Sequence, residues 1–287
     1  MTQKRAGAAG PIAFQGHHGA YADLTARAIF PGLVTLPCPT FESVFEAVRE
    51  GRADRGVIPV ENSLYGRIAD IHHLLPGGGL KIVGEWYQPI HHCLLGVPGA
   101  KLEQVHEALS QEPALGQVAK TLRRLKIRPV ARTDTAGSAA EVAATKDPSK
   151  AAVASSLAAE IYGLDILLSN IEDAPHNTTR FLVMAREAIP VPADSPIAVV
   201  GFAFEVRNIP AALYKVLGGF ATNGINMTKL ESYMVGGSFN ATQFYAEVEG
   251  HIDDPAMKHA FDELRFFART FDILGTFPGD PERRGGK

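Results

Sequence analysis

The 287-residue sequence has little of several features that mark large classes of protein. Its two cysteines, Cys38 and Cys93, are too few for a disulfide framework. Its formal net charge of −3 argues against the clustered positive charge that nucleic-acid binding requires. No apolar run approaches membrane-spanning length, and no apolar segment of the secretory type follows Lys4 and Arg5. We therefore expect a cytoplasmic protein with no nucleic-acid partner and no membrane partner.

The composition that remains is typical of a globular protein, with 46% hydrophobic and 21% charged residues. A chain of this length is long for one core, so two domains are expected. The segment 188–196 contains Pro190, Pro192 and Pro196, which makes it too stiff and too poor in N–H donors for the interior of a helix or strand. We place the boundary there and predict domains at 11–187 and 197–277. The tail from Pro278 is predicted to be disordered.

Strands alternate with helices through the first 184 residues, a pattern typical of an α/β fold with mostly parallel strands. Thr40 is a candidate N-cap for a helix that ends at Gly51, and Thr135 or Ser138 is a candidate cap for the helix Thr135–Ala144. Further helices are predicted at Ile68–Leu75, at Leu102–Ala108 ending at Ser110, and from Pro113. Polar clusters at strand ends on either side of this region favour a two-lobed domain with a cleft.

After residue 196 the pattern changes to βαββαβ, which fits a ferredoxin-like unit. The predicted elements are strand Ile197–Val206, helix Ala211–Thr222, strands Ile225–Tyr233 and Phe239–Val248, helix Pro255–Ala268 and strand Phe271–Thr276.

The segment Asp173–Phe181 is the first candidate site. A polar loop containing Pro175 enters a short apolar run that is typical of a buried strand. Thr178 and Thr179 supply hydroxyl donors, and Arg180 supplies a planar guanidinium that matches a carboxylate. These groups suit an anion, although an ordinary strand start with an exposed arginine explains the same residues.

A second polar cluster follows the buried strand Gly56–Val60, where Glu61, Asn62 and Ser63 stand at its carboxyl end. Ligands of open α/β sheets bind at this end of the strands, although a polar turn before a helix fits equally well. Three histidine pairs occur, His17–His18, His72–His73 and His91–His92. Neighbouring residues of a strand point to opposite faces, and acidic or cysteine partners at ligand spacing are lacking, so no metal site is predicted.

Taken together, the motifs resemble those of prephenate dehydratase fused to a C-terminal ACT regulatory domain. The resemblance covers about residues 11–277. It rests on the catalytic-domain segments Pro59–Ser63, Ala151–Ser155, Tyr162–Leu164 and Asn177–Phe181, and on the second-domain segments Asn208–Leu213 and Glu231–Ser232.

The resemblance implies a two-lobed catalytic domain of the periplasmic-binding-protein type with its active site in the cleft, and a ferredoxin-like ACT domain. It implies that Thr179 is the catalytic threonine. It further implies a substrate-binding set with Glu61 as a supporting residue, which fixes a cleft loop or pairs with a cation. The substrate-binding set is Asn62, Ser63, Ser110, Gln117, Thr178, Arg180 and Phe181.

The implied reaction removes CO2 and water from prephenate to give phenylpyruvate, on the route to phenylalanine. Aromatisation drives it, so neither a metal nor a redox cofactor is needed. Thr179 is expected to donate a hydrogen bond to the leaving hydroxyl. Arg180 is expected to hold a substrate carboxylate, with bracing of the loop as the alternative. The family often has His where this chain has Gln111.

The second domain is expected to bind phenylalanine as a feedback inhibitor and to pair with another copy, giving a homodimer or homotetramer. The effector residues implied are Asn208, Ala211, Ala212, Leu213, Glu231 and Ser232. This chain has Ala211 where the family has Gly, and Tyr233–Met234 where it has Arg–Pro. A domain that only pairs copies of the chain is the alternative.

Three other functions were weighed for the whole chain. An arogenate dehydratase would use the same site and form phenylalanine directly. A non-catalytic sensor of aromatic amino acids would not need Thr179. A fusion with a mutase is not expected, since no helical segment of that size precedes residue 11.

Overall fold

The computed structural model describes residues 8–68, 71, 74–192, 195–207, 209–234 and 241–284. Within these, the strands are β1 (Ile12–Gln15), β2 (Thr35–Cys38), β3 (Arg55–Asn62), β4 (Gly66–Arg67), β5 (Lys81–Pro89), β6 (Cys93–Gly96), β7 (Glu107–Ser110), β8 (Arg128–Ala131), β9 (Lys150–Ala154), β10 (Asp165–Leu168), β11 (Thr178–Ala185), β12 (Ala198–Val206), β13 (Met227–Met234), β14 (Ala241–Glu249) and β15 (Ala268–Pro278). The helices are α1 (Tyr21–Ile29), α2 (Phe41–Arg49), α3 (Glu112–Gln117), α4 (Ala119–Leu125), α5 (Thr135–Thr145), α6 (Ser156–Tyr162), α7 (Ala212–Thr222) and α8 (Pro255–Phe267). Short 3-10 turns lie at Leu102–Gln104 and Pro281–Arg284.

The chain divides into two compact units, one of Met1–Ile68 with Trp86–Phe181 and one of Ala69–Glu85 with Leu182–Lys287. The division falls inside β5 and β11, so residues 86–89 and 178–181 belong to the first unit. Each unit contains residues from distant parts of the sequence.

Two sheets lie mostly in the first unit. One has the strand order β2-β1-β3-β11-β5, with β4 paired to β3, and the other has the order β10-β6-β9-β7-β8. β1 runs parallel to β2 and β3, and β7 runs parallel to β8 and β9, as predicted for an α/β fold. β6 is antiparallel to both β9 and β10, so the second sheet is mixed rather than mostly parallel.

Local chemistry sets several element ends in this unit. Thr40 caps α2 through a reciprocal hydrogen-bond pair with Ser43, as predicted for Thr40. The cap of α5 is Asp134, whose carboxylate accepts from the backbone N–H of Gly137, so the caps predicted at Thr135 or Ser138 are wrong. An aspartate directly before the first helical turn accepts this bond better than a hydroxyl that lies inside the helix.

The helix predicted at Leu102–Ala108 is also wrong. Only Leu102–Gln104 forms a single 3-10 turn, and Glu107–Ser110 is strand β7, in which Ala108 and Leu109 are fully buried between β8 and β9. A short apolar run has no periodicity that separates a buried strand from a buried helix. Half of the helix predicted at Ile68–Leu75, namely residues 69, 70, 72 and 73, lies outside the described part of the chain.

The second unit contains the four-stranded sheet β13-β14-β12-β15. Its pairs are antiparallel, and with α7 and α8 the element order is βαββαβ, so the predicted ferredoxin-like pattern is confirmed. Alternate residues of β12 and β14 pack against both helices, with Phe202 in contact with the rings of Phe220 and Phe261 at centroid distances of 5.4 and 5.1 Å. Both helices therefore cover one face of the sheet.

The C-terminal segment is ordered through Arg284, so the prediction of a disordered tail from Pro278 is wrong there. Arg283 is 6% exposed and donates from Nε and Nη2 to the two carboxylate oxygens of Glu85, each at 2.9 Å. It also donates to Glu247 and, at 2.7 Å, to the hydroxyl of Thr228. The side chains of Glu85 and Glu247 are fully buried. Composition does not reveal a partner almost 200 residues away, and here that partner decides the structure.

Candidate active site

The loop before β11 is fastened to the end of β3 through Ser63. The Ser63 hydroxyl donates to the carbonyl of His176 at 2.8 Å and accepts from the backbone N–H of Thr178 at 3.0 Å. The backbone N–H of Ser63 in turn donates to the Thr178 carbonyl at 2.9 Å. The two polar clusters identified in the sequence are therefore neighbours, and Ser63 serves both the loop and the strand end.

Asn62 organises the residues around Thr179. Its Oδ1 accepts from the backbone N–H groups of Leu64 and Tyr65 at 2.9 and 3.1 Å. Its Nδ2 donates to Asn177 Oδ1 at 2.8 Å and to Thr179 Oγ1 at 3.0 Å. Because the Thr179 oxygen accepts this bond, the hydroxyl proton of Thr179 remains available for another acceptor.

Gln117, at the end of α3, joins this group from the second sheet's side of the unit. Asn177 Nδ2 donates to Gln117 Oε1 at 3.0 Å, and His92 Nε2 lies 2.6 Å from the same oxygen. The hydroxyl of Tyr21 lies 2.8 Å from His92 Nδ1. The structure therefore brings together Asn62, Gln117 and Thr179, as predicted from the motifs, and adds Asn177, His92 and Tyr21.

Sequence patterns pointed only in part to these three additional residues. Asn177 stands inside the segment that identified the site, yet its position alone assigned it no role. His92 was considered only as a metal ligand, within the pair His91–His92. For Tyr21, a contact 71 residues away along the chain leaves no local signal.

Arg180 and Glu61 pair on the opposite side of the same strands. Arg180 Nη1 donates to Glu61 Oε1 at 2.9 Å, and its guanidinium lies 5.9 Å from the centre of the Tyr87 ring. Arg180 is 3% exposed, whereas the side chain of Glu61 is 34% exposed. Since neighbouring strand residues point to opposite faces, this pair lies behind the one formed by Asn62 and Thr179. Of the two roles expected for Glu61, pairing with a cation is the one that the structure has.

Of the three other candidate residues, Ser110 and Phe181 lie apart from this group, and Thr178 belongs to it through its backbone. Ser110 is fully buried, and its hydroxyl donates to the carbonyl of Val153 at 2.6 Å, which ties β7 to β9. Phe181 is 1% exposed and belongs to the core. Thr178 takes part through its backbone, because its carbonyl accepts from Asn62 Nδ2 at 3.3 Å. The bonds of Ser110 and the burial of Phe181 fit supporting positions better than contact with a ligand.

Burial and one carboxylate set the electrostatics near Gln117. Burial lowers the pKa of His92, against opposing effects of Gln117 and Glu172. Burial likewise raises the pKa of Tyr21 well above its usual value. Burial disfavours the charged form of Glu172 as well, but hydrogen bonds from His91 and from backbone N–H groups outweigh it and lower the pKa of this carboxyl. At neutral pH, His92 is therefore a neutral ring beside an anionic Glu172.

The residues expected to bind an effector occupy one end of α7 and strand β13. Ala211 precedes α7 with φ +62°, a left-handed conformation that glycine adopts without strain. Ala212 is buried and Leu213 packs against the helix-covered core. Glu231 lies 3.5 Å from the ammonium group of Lys229, and Ser232 is exposed on the edge strand of the sheet. Asn208 lies outside the described residues.

In the described ranges, His, Cys, Asp and Glu residues form no group of three that could hold a metal ion. The helices in those ranges include none that is long and apolar enough to cross a membrane.

Comparison with known proteins shows which family the chain resembles. A family model described as prephenate dehydratase matches residues 12–189. A bifunctional N-acyl-homoserine lactone acylase/prephenate dehydratase of Komagataeibacter europaeus is 50% identical over 273 residues, covering 95% of this chain and 97% of that protein. Arogenate dehydratase/prephenate dehydratase 1 of Arabidopsis thaliana is 39% identical over 283 residues, covering 94% of this chain and 72% of the plant protein.

A similar structure is that of a prephenate dehydratase from Arthrobacter aurescens in complex with L-Phe, with a TM-score of 0.85 and 26% identity over 95% of this chain and 91% of that one. The family match covers more than half of the chain and includes Asn62, Gln117 and Thr179. The chain therefore belongs to the prephenate dehydratase family.

Proposed function

We propose that the protein is a prephenate dehydratase that converts prephenate to phenylpyruvate with loss of CO2 and water. The observation that carries the proposal is the hydrogen bond from Asn62 Nδ2 to Thr179 Oγ1. It fills an acceptor position of the hydroxyl and so directs the Thr179 proton away from Asn62. In our proposal that proton faces the ring hydroxyl of prephenate, which must leave as water while the carboxylate is lost as CO2.

The contribution of Thr179 follows from the chemistry of the leaving group. Hydroxide is a poor leaving group, and a positioned donor stabilises the negative charge that develops on its oxygen. Removing one such donor in other enzymes costs on the order of 10² to 10³ in kcat. Asn62, Asn177 and Gln117 would hold the donor and the substrate in register, since misplacement of about 1 Å is enough to cost about 10² in rate.

We assign Arg180 to bracing rather than to substrate binding. Its guanidinium is buried behind the strands and already faces the carboxylate of Glu61 at 2.9 Å. Substrate carboxylates would then be met by uncharged donors, among them the Gln117 amide and the Thr178 side chain. Ser110 and Phe181 would support the site from within the core.

The test is a direct assay of the purified full chain with prephenate and, separately, with arogenate. Phenylpyruvate formation is followed by absorbance and phenylalanine formation by chromatography. We expect turnover of prephenate, and Thr179→Val is expected to lower kcat by about 10² or more while leaving KM within about threefold. Thr145→Val, which removes a hydroxyl from the end of α5, is the matched control.

Turnover of arogenate alone would instead identify an arogenate dehydratase. Wild-type turnover that survives intact in Thr179→Val would refute the role of this threonine. Binding of aromatic amino acids without turnover would identify a sensor.

N-acyl-homoserine lactone hydrolysis is the second activity to measure, because a relative with 50% identity carries that activity in its name. A hydroxyl nucleophile of an acylase needs an adjacent base. Among the described residues, Thr179 Oγ1 bonds to an amide, and Ser63 Oγ bonds to backbone groups, so neither has an imidazole partner. This geometry favours the dehydratase.

We propose further that residues 11–187 are the catalytic domain and that residues 197–277 form an ACT domain that binds phenylalanine between paired copies. The βαββαβ order and the phenylalanine in the Arthrobacter structure support this. Inhibition requires that phenylalanine bind a less active state more tightly. Activity and calorimetric titrations with phenylalanine test it, while light scattering measures the oligomer. No binding and no inhibition would leave the domain a structural one.

These titrations need the full chain. A chain that ends near Ala188 would lack Arg283, which bonds to the buried Glu85. A change in activity after such a truncation would therefore not report on phenylalanine binding.

A further inference from the structure

A chain of hydrogen bonds runs from Asn62 through Asn177, Gln117 and His92 to Tyr21. The directions of these bonds can be assigned in turn, starting from the backbone. The N–H groups of Leu64 and Tyr65 can only donate, so the Asn62 atom that they meet must be the oxygen. The Asn62 amide nitrogen therefore faces Asn177, whose oxygen accepts at 2.8 Å. This fixes the second amide as well, and its nitrogen donates to Gln117 at 3.0 Å.

The same logic fixes a histidine tautomer. Gln117 Oε1 accepts from Asn177, so the His92 Nε2 atom at 2.6 Å from that oxygen must carry a proton. In the neutral ring, Nδ1 is then an acceptor that faces the Tyr21 hydroxyl at 2.8 Å, and that hydroxyl shares its one proton between Nδ1 and the backbone carbonyl of His91 at 2.9 Å. His92 is 1% exposed, so water does not compete for either nitrogen.

These bonds determine where the NH2 group of the Gln117 amide lies. Asn177 and His92 both donate to the Gln117 oxygen. If the amide were rotated by 180°, its NH2 group would face these two donors instead. Its Nε2 is left with two protons that donate to no acceptor in the described part of the protein, and the side chain is partly exposed beside Asn177. A partly exposed donor held in one orientation suits an anionic oxygen of a ligand.

We propose that Tyr21 and His92 are positioning residues that lock the Gln117 amide so that its NH2 group meets a carboxylate of the substrate. The inference rests on the proposed dehydratase function, because it names prephenate or arogenate as the ligand. Neither residue touches the ligand. Tyr21 faces the Nδ1 atom that accepts in this tautomer of His92, and His92 adds a second donor to the Gln117 oxygen that already accepts from Asn177.

Paired variants separate this role from simple packing. His92→Gln keeps an N–H donor near the position of Nε2. His92→Asn also keeps an amide, but its side chain is too short to reach the Gln117 oxygen. Tyr21→Phe removes the hydroxyl that faces His92 Nδ1. Tyr162→Phe is the matched control, since the Tyr162 hydroxyl donates to the backbone carbonyl of His18, outside this network.

The readout is the separate effect on KM and kcat. A carboxylate contact present in the ground state and the transition state acts mainly on KM. We expect KM to rise about tenfold in His92→Asn and about three- to tenfold in Tyr21→Phe, with His92→Gln within about threefold of wild type. A packing defect would instead reduce the active fraction and lower kcat at unchanged KM. KM values that do not differ among His92→Asn, Tyr21→Phe and His92→Gln would overturn the proposal.

Nitrogen-15 NMR of labelled histidine tests the hydrogen-bond directions independently of activity, with His92 assigned from its missing signals in His92→Asn. We expect a protonated Nε2 and an unprotonated Nδ1 at pH 7.5. A ring protonated at Nδ1 would overturn the proposal even if the enzyme is active. If wild type turned over neither substrate, the dehydratase function would fall, and the ring's tautomer would still decide whether the Gln117 lock exists.

Discussion

The most demanding prediction concerns Arg283, the residue that joins the C-terminal segment to the second unit. Arg283→Met removes a guanidinium that bonds at 2.9 Å to both oxygens of Glu85 and also reaches Glu247. Both carboxylates are fully buried, and each also accepts from an uncharged donor, the N–H of Asp280 for Glu85 and the hydroxyl of Tyr245 for Glu247.

The magnitude follows from the number of charges left behind. Breaking one buried ion pair by removing a partner costs about 3–5 kcal/mol, because the remaining charge stays desolvated. Arg283 serves two carboxylates, so we expect a loss near the upper end, about 5 kcal/mol. Whole proteins are stable by only about 5–15 kcal/mol. Arg283→Met should therefore lower the melting temperature by about 10–20 °C or leave the second unit unfolded.

The assay is urea denaturation followed by circular dichroism, with two comparisons. Arg265→Met removes an exposed arginine that pairs with Asp262 in the same unit, and it should cost less than about 1 kcal/mol. The triple variant Glu85→Gln/Glu247→Gln/Arg283→Met replaces the buried charges with amides and should recover more than half of the loss. If Arg283→Met cost no more than Arg265→Met, the reasoning about buried charge would be refuted.

Three further predictions can be checked with the same denaturation assay. Burial holds the pKa of His92 below its usual 6.5, so the unfolded chain binds more protons than the folded one below about pH 7. The free energy of unfolding should therefore fall as the pH drops from 7.5 to 5.5, and it should fall less in His92→Gln. Gly19→Ala should lower the free energy of unfolding by about 2 kcal/mol or more, since φ is +89° and a new Cβ would lie 2.8 Å from the Ala158 Cα. Gly32→Ala is the control, because Gly32 has φ +84° with open space around it and should show only the conformational part of this loss. Glu61→Gln and Arg180→Met should each lower the free energy of unfolding by about 2 kcal/mol, and the double variant should lower it by clearly less than the sum of the two. Strict additivity would show that the two side chains do not interact.

Patterns along the chain predicted the features that local chemistry decides. Alternating strands and helices gave the α/β class, and the βαββαβ order of the second half matches the observed elements. Thr40 was identified as a cap because a hydroxyl before an amphipathic helix has a single favourable partner in the first turn. The resemblance to the family implied that Asn62 and Thr179 share a site, and in the structure both stand at the ends of strands.

The features that sequence reasoning missed depend on partners distant in the chain. Ser110 was expected near the substrate, but its bond to Val153 forms only because β7 lies beside β9. Arg180 was expected to face a substrate carboxylate, but strand alternation turns it toward Glu61. His92 has no recognisable partner in its own neighbourhood, and its role depends on Tyr21 and Gln117, which lie 71 and 25 residues away.

The position of β11 in the first sheet sets a problem for the chain as it is synthesised. β11 lies between β3 and β5, yet roughly 90 residues separate the end of β5 from its start. At about 5–20 residues per second, the ribosome takes about 5–20 seconds to supply the missing strand. Until then β3 and β5 each present an open hydrogen-bonding edge, the kind of edge that pairs with other chains. Thr179 arrives with that strand, so one segment both closes the sheet and completes the site.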